Sequence, residues 1–215
     1  MIRLALSVLL IFTLQGCLKS NVAIIDRFSA YTEFPDRITV GFPETFDNAQ
    51  GYHLEKQGYL YQGYPISHDR RRSATPNTVV HKPPKFAFSA VDDDMWLVMK
   101  ASDPLYHYVL LVEDKGWFSS SYALYVPKAE TMRRELERVF LQGNGEAFKG
   151  TKIEDDMAEL ENRFRRLKDT RMFDPSGFFV NDIHAMKLLM KFGFHRGIME
   201  KLDLDIQEGF AALEN

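Results

Sequence analysis

A single cysteine, Cys17, stands in 215 residues, and that scarcity excludes more than any other feature of the chain. One sulfur leaves no partner for a disulfide and no cysteine pair for a zinc knuckle. Six histidines are present, but none stands four residues from another, so the zincin pair is missing. His53-Leu54-Glu55 copies the start of a deaminase motif without the cysteine pair that must follow. Gly-x-Ser-x-Gly, a Walker loop and a dinucleotide fingerprint are all absent. No apolar run approaches the roughly twenty residues that a membrane-spanning helix needs. Neither sign of charge dominates: 27 basic residues face 30 acidic ones, a net charge of −3. That balance argues against nucleic acid as a partner. No metal, cofactor or catalytic residue is assigned on these grounds.

What the chain does carry begins at its N-terminus. Arg3 precedes an apolar run, residues 4–14, interrupted only by Ser7 and Thr13. A run of this length suits the apolar core of a secretory signal and is too short to anchor a membrane protein. Leu14-Gln15-Gly16-Cys17 follows at once, and this stretch resembles the lipobox of bacterial lipoproteins. The resemblance covers the leader alone. It implies that residues 1–16 are a cleaved signal peptide, that Cys17 becomes the first residue of the mature chain, and that its sulfur carries a diacylglycerol. Two or three acyl chains suffice for stable anchoring where one does not. It further implies a bacterial cell envelope address. Leu18 in place of an aspartate favours the outer membrane facing the periplasm over the inner membrane. Loss of residues 1–16 removes only Arg3 from the charge count, leaving 26 basic and 30 acidic residues and a net charge of −4.

The rest, residues 17–215, reads as one α+β domain: an antiparallel sheet in a strand-rich part, 21–126, packed against a helical part, 127–215. Strands are expected at 37–42, 86–91 and 95–101, and as a pair around a Glu-Asp-Lys-Gly turn within 106–127. After Pro127 the apolar spacing becomes helical. Pro127 opens a first helix that closes on a glycine. Thr151 and Glu154 make a capping box for a second, whose seam is Ile153, Met157, Leu160, Phe164 and Leu167. This seam is expected to pack on its own domain, the other reading being a docking surface for a second protein. A third helix, 181–193, is stopped by Gly193, and a fourth is expected at 203–213.

Two stretches attract a ligand-binding reading. Gln-Gly-Tyr occurs three times between residues 50 and 64, in what reads as a hairpin turning near Lys56-Gln57-Gly58. Tyr52, Tyr59, Tyr61 and Tyr64 offer rings that stack on sugars, or that simply bury. Arg70, Arg71 and Arg72 lie in a polar, proline-bearing loop, and their forked guanidinium groups suit phosphate or carboxylate. The function expected is a lipid-anchored envelope lipoprotein with a non-catalytic binding or scaffolding domain. Its partners are the membrane, through acylated Cys17, and another envelope protein or an anionic envelope polymer. The alternative is an envelope hydrolase acting on wall glycan or lipid polymer.

Overall fold

The computed structural model describes residues 18–46, 49–66, 83–102, 105–115, 120–143, 146–167, 173–174, 177–178 and 180–208. In chain order they form β1 (Leu18–Ser20), β2 (Arg37–Phe46), β3 (Ala49–Gln57), β4 (Leu60–Ile66), β5 (Lys85–Asp92), β6 (Met95–Ser102), β7 (Leu105–Lys115) and β8 (Ser120–Pro127). Then come α1 (Ala129–Glu137) with a π-helical turn at Arg138–Gln142, α2 (Glu154–Leu167), the short pair β9 (Phe173–Asp174) and β10 (Gly177–Phe178), α3 (Ile183–His195) and β11 (Met199–Glu208). β2 to β8 form an antiparallel meander, and β11 lies between β8 and β2. Because β7 also pairs with β8, from Leu110↔Tyr125 to Lys115↔Ser120, these eight strands close into a barrel. Beyond Leu110 the two strands part, and β1 takes the vacated edge of β7, pairing Leu18↔Tyr108 and Ser20↔Tyr106.

Strand alternation divides the apolar residues between two clusters. Ile38, Tyr52, Leu54, Tyr61, Phe88, Trp96, Val98 and Leu111 point into the barrel, with Tyr122 and Leu124 of β8 and Leu204 and Ile206 of β11 closing the ring. Ala87, Leu97, Met99, Tyr108 and Leu110, one residue out of step, face outward into a second core shared with the helices. The inner cluster is sealed at one end by the segment that precedes β2. There the Phe34 ring lies 5.0 Å from Phe88 and 5.2 Å from Trp96. The Tyr31 amide donates to the Phe88 carbonyl at 2.7 Å, and the Tyr61 hydroxyl donates to the Phe34 carbonyl at 3.1 Å. Packing inside is tight at β4: a Cβ on Gly63 would stand 2.5 Å from Cε2 of Phe86, so only glycine fits beneath that ring.

The helices cover one flank of the barrel. α3 is their centre. It buries Ala185, Met186, Leu188, Leu189, Met190, Phe192 and Gly193. Phe192 meets Phe140 at 5.6 Å and Phe148 at 5.9 Å, while Tyr125 of β8 meets Phe194 edge-on at 4.9 Å. The α2 seam is buried in the same core: Ile153, Met157, Leu160 and Phe164 are 2–4 % exposed. These four pack on their own chain, and the side chain of Leu167, the fifth seam residue, lies outside the described residues.

The helical half also holds a charged knot. Glu135 accepts from Nε of Arg138 at 2.8 Å and from Nε of Arg196 at 2.9 Å, tying α1 to the end of α3. The Arg138 and Arg196 guanidinium groups push its carboxyl down to about 2, against a smaller opposing effect of burial. A depressed folded-state pKa contributes stability that is present above the ordinary value and lost as pH falls. Glu135→Gln should therefore cost about 1–3 kcal/mol at neutral pH, the usual worth of hydrogen bonds to a charged group. The gap to the parent should close between about pH 4.5 and 2. Urea denaturation at several pH values measures both.

The α+β class and the strands expected at 37–42, 86–91, 95–101 and 106–127 are present, with longer bounds, but Glu113, Asp114 and Lys115, expected in a turn, still belong to β7 and pair with β8. The sheet is not confined to the N-terminal half, because residues 199–208, expected to be partly helical, are β11. Leu202, Leu204 and Ile206 alternate there with polar residues, and pairing on both edges wins over helix formation. Gly193 does not stop α3. It lies where the helix passes α1 and β11, and a Cβ there would be 2.4 Å from Cε of Met132. The stop is Gly197, at φ 62°, where Ile198 N donates to Gly193 O and Gly197 N to Phe194 O in a Schellman closure. The capping box is also rearranged: the Glu154 carboxylate accepts from Gly150 N at 2.7 Å, and the Thr151 hydroxyl donates back to Phe148 O at 2.6 Å. Pro127 ends β8 opposite Met199, and α1 begins at Ala129.

Candidate binding mouth of the barrel

At the barrel end away from Phe34, three basic side chains share one row. Antiparallel pairing sets Lys100 of β6 directly opposite His107 of β7, and His107 directly opposite Lys19 of β1. Directly paired residues project to the same face. That face is the inner one, because Phe86, the β5 partner of Lys100, and Val98 and Val109, two residues away along β6 and β7, all belong to the interior cluster. Burial lowers the basicity of His107 below the ordinary imidazole range, and the Lys19 and Lys100 ammonium groups lower it further. Its Nδ1 is buried with no hydrogen-bond partner. An unsatisfied polar atom in such a place is rare enough to require an account.

Below this row the wall is apolar, and its burial is uneven. Val98 and Leu111 are 7 % and 3 % exposed, whereas Val40, Phe86, Val109, Leu124 and Leu204 are only partly buried although they face inward. An eight-stranded barrel leaves an interior just wide enough for side chains to fill or for one small ligand. Here aromatic rings fill the sealed end, and the partly exposed residues line the remainder.

The residues expected from the sequence fall in different places. Cys17 and Arg70, Arg71 and Arg72 lie outside the described residues. The four tyrosines do not make one surface. Tyr52 faces the interior, its ring 5.6 Å from Phe86. Tyr61 is fully buried, and burial pushes its hydroxyl up to about 12. Tyr59 sits in the Gly58–Tyr59 turn, and Tyr64 is 39 % exposed outside. The hairpin itself is where the sequence puts it, with Gly58 at φ 68°. The missed residues are Lys19, Lys100 and His107. The local signal was Tyr106-His107-Tyr108, a polar residue in a strand whose neighbours alternate, but the register that unites the three is not written in any one segment.

No group of three or more metal-ligating side chains exists among the described residues. Among the described residues, the carboxyls with altered acidity are Asp26, Glu135 and Glu159, each shifted downward, chiefly by hydrogen bonds from Ser29, Arg138 and His184. A general acid needs the opposite shift. Thr39 Oγ1 lies 3.0 Å from His53 Nδ1, but Thr39 is 3 % exposed and gives a polymer no access.

No family model, curated protein or solved structure matches this chain. The site must therefore be interpreted from its own chemistry.

Proposed function

We propose that the protein is a lipid-anchored bacterial envelope lipoprotein whose folded part is a non-catalytic binding module. The observation that carries this reading is the junction at Cys17. The next residue, Leu18, is fully buried and already paired with Tyr108 in the sheet. A diacylglycerol on Cys17 then hangs directly from the barrel wall. One residue of backbone spans at most about 3.6 Å, so the barrel rests against the membrane instead of swinging on a tether. The reading places the protein at the outer membrane, facing the periplasm. The described helices fit a peripheral body, since none is long and apolar enough to cross a bilayer. A closed barrel with an apolar interior and a basic rim favours binding over scaffolding, and its ligand comes from the envelope.

The test is intact-mass and N-terminal peptide analysis of the protein taken from its native membranes. The expected result is a chain beginning at Cys17 that carries the added mass of the glyceryl and acyl groups. Recovery of Met1 joined to an unmodified Cys17 would overturn the reading.

A further inference from the structure

We infer that the segment 22–29 is a second point of membrane contact, at which the Phe28 ring enters the bilayer interface and the Arg27 guanidinium meets lipid phosphates. This deepens the lipid-anchored reading and rests on it, because the occupant is the bilayer that holds the Cys17 acyl chains. Four observations converge. First, three large apolar side chains are exposed among the described residues: Val22 at 47 %, Phe28 at 81 % and Tyr64 at 39 %. Two of them fall within residues 18–28, directly after the acylation position. Second, a fixed frame holds the Phe28 ring out. The Asp26 carboxylate accepts from the amides of Phe28 at 3.0 Å and Ser29 at 2.9 Å, and Asp26 N donates to Ser29 Oγ at 3.0 Å. Ala30 N closes the turn on Asp26 O at 2.9 Å. On one side Ile25 is fully buried in the core shared with the helices; on the other Ser89 Oγ donates to Ser29 O at 2.6 Å. A turn ordered beforehand loses little conformational freedom on contact. Third, the anchor and the turn leave the same flank. Leu18 shares a row with Tyr108, Met99 and Ala87 across β1, β7, β6 and β5. Ser89 lies in the row of Leu97 and Leu110, and β1 traced back from Ser20 to Leu18 heads toward that row. Three strand spacings, about 14 Å in all, separate β1 from β5. Fourth, the Arg27 guanidinium stands 4.4 Å from the Phe28 ring centroid and makes no ion pair among the described residues. At a lipid surface the ring meets apolar chains and the cation meets phosphate, so each finds its complement.

The experiment uses the full-length chain, its Cys17 acylation read by intact mass, in vesicles of phosphatidylethanolamine and phosphatidylglycerol with and without brominated acyl chains. Phe28→Trp places an indole at the turn, and the parent, with two tryptophans of its own, supplies the background. Bromine quenches an indole only on contact. The added fluorescence should fall about twofold in brominated vesicles, because an indole settles at the interface. Bromines high on the chain should quench more than bromines near its end, since interfacial groups sit about 5–10 Å into the boundary. Tyr64→Trp, an exposed ring outside the segment, should show no added quenching. Arg27→Glu in the Phe28→Trp background should weaken the quenching about twofold with phosphatidylglycerol present, and less in vesicles of neutral lipid. Every variant changes an exposed residue and should melt as the parent does by circular dichroism.

If the indole of Phe28→Trp is quenched no more than that of Tyr64→Trp, the turn does not touch the bilayer, and the inference is overturned while the anchor stands. If lipid leaves it unquenched but raised protein concentration shields it from a water-soluble quencher, the ring packs on a second copy instead. If mass analysis finds no acyl group, the anchor fails. The same chain mixed with the same vesicles then still decides the contact, because quenching reports the turn alone.

Discussion

Removing residues 199–215 should abolish the folded state, leaving a chain with no cooperative unfolding transition by circular dichroism. β11 pairs with β8 from Met199↔Pro127 to Leu204↔Tyr122 and with β2 from Asp205↔Gly41 to Glu208↔Ile38. It is a central strand in a closed ring, and among the described residues no other strand pairs with the edges that its loss would expose. Its inward residues Leu204 and Ile206 also belong to the interior cluster. Deletion thus opens two sheet edges and exposes the apolar interior at once. Leu204→Pro tests the same point with one residue, since proline removes a donor and cannot sit in a strand paired on both sides. A truncated chain that still melted cooperatively near the parent's midpoint would show that the sheet is stable as an open structure.

The second large effect is expected at Phe192. Its side chain is fully buried and stands between Phe140 of the π-helical turn and Phe148 of the connection to α2. Phe192→Ala removes a ring that packs against both the π-helical turn and the connection to α2. Such truncations cost about 3–5 kcal/mol, the transfer energy of the ring plus the cavity left behind. Urea denaturation should show a lower midpoint with an unchanged slope, the sign of lost stability without a changed unfolded state. Phe194→Ala, on the partly exposed side of the helix against Tyr125, should cost clearly less. Equal losses at the two positions would contradict the packing described for α3.

Much of this architecture is legible in the residue pattern, and the failures have physical causes. The strands at 37–42, 86–91 and 95–101 are bounded by turns and alternate or run apolar, so local propensity and tertiary demand agree. The α2 seam is equally clear because one face of three to four residues per turn must meet the core. β11 was misread because Phe210 and Leu213, beyond it, extend an apolar spacing that suits a helix. Yet Lys201-Leu202-Asp203-Leu204 alternates with period two, and that shorter signal was the correct one. Gly193 looked like a terminator because its actual reason, close approach to Met132 and Met199, depends on elements remote in sequence. Barrel closure and the row of Lys19, Lys100 and His107 share that limit. Each is a register between strands separated by tens of residues, and no window of sequence contains it. The tyrosines at 52 to 64 show the converse: ring-rich composition is visible, but the side of the strand each ring takes is settled only by pairing.

The position of β11 has a consequence for biogenesis. A chain that emerges N-terminus first presents its seven-strand meander before the segment that closes it has left the ribosome. Until then β2 and β8 remain unpaired margins, and the aromatic interior is in contact with water. Such intermediates are prone to self-association. The protein is therefore expected to depend on a holding chaperone until β11 has emerged and paired with β2 and β8.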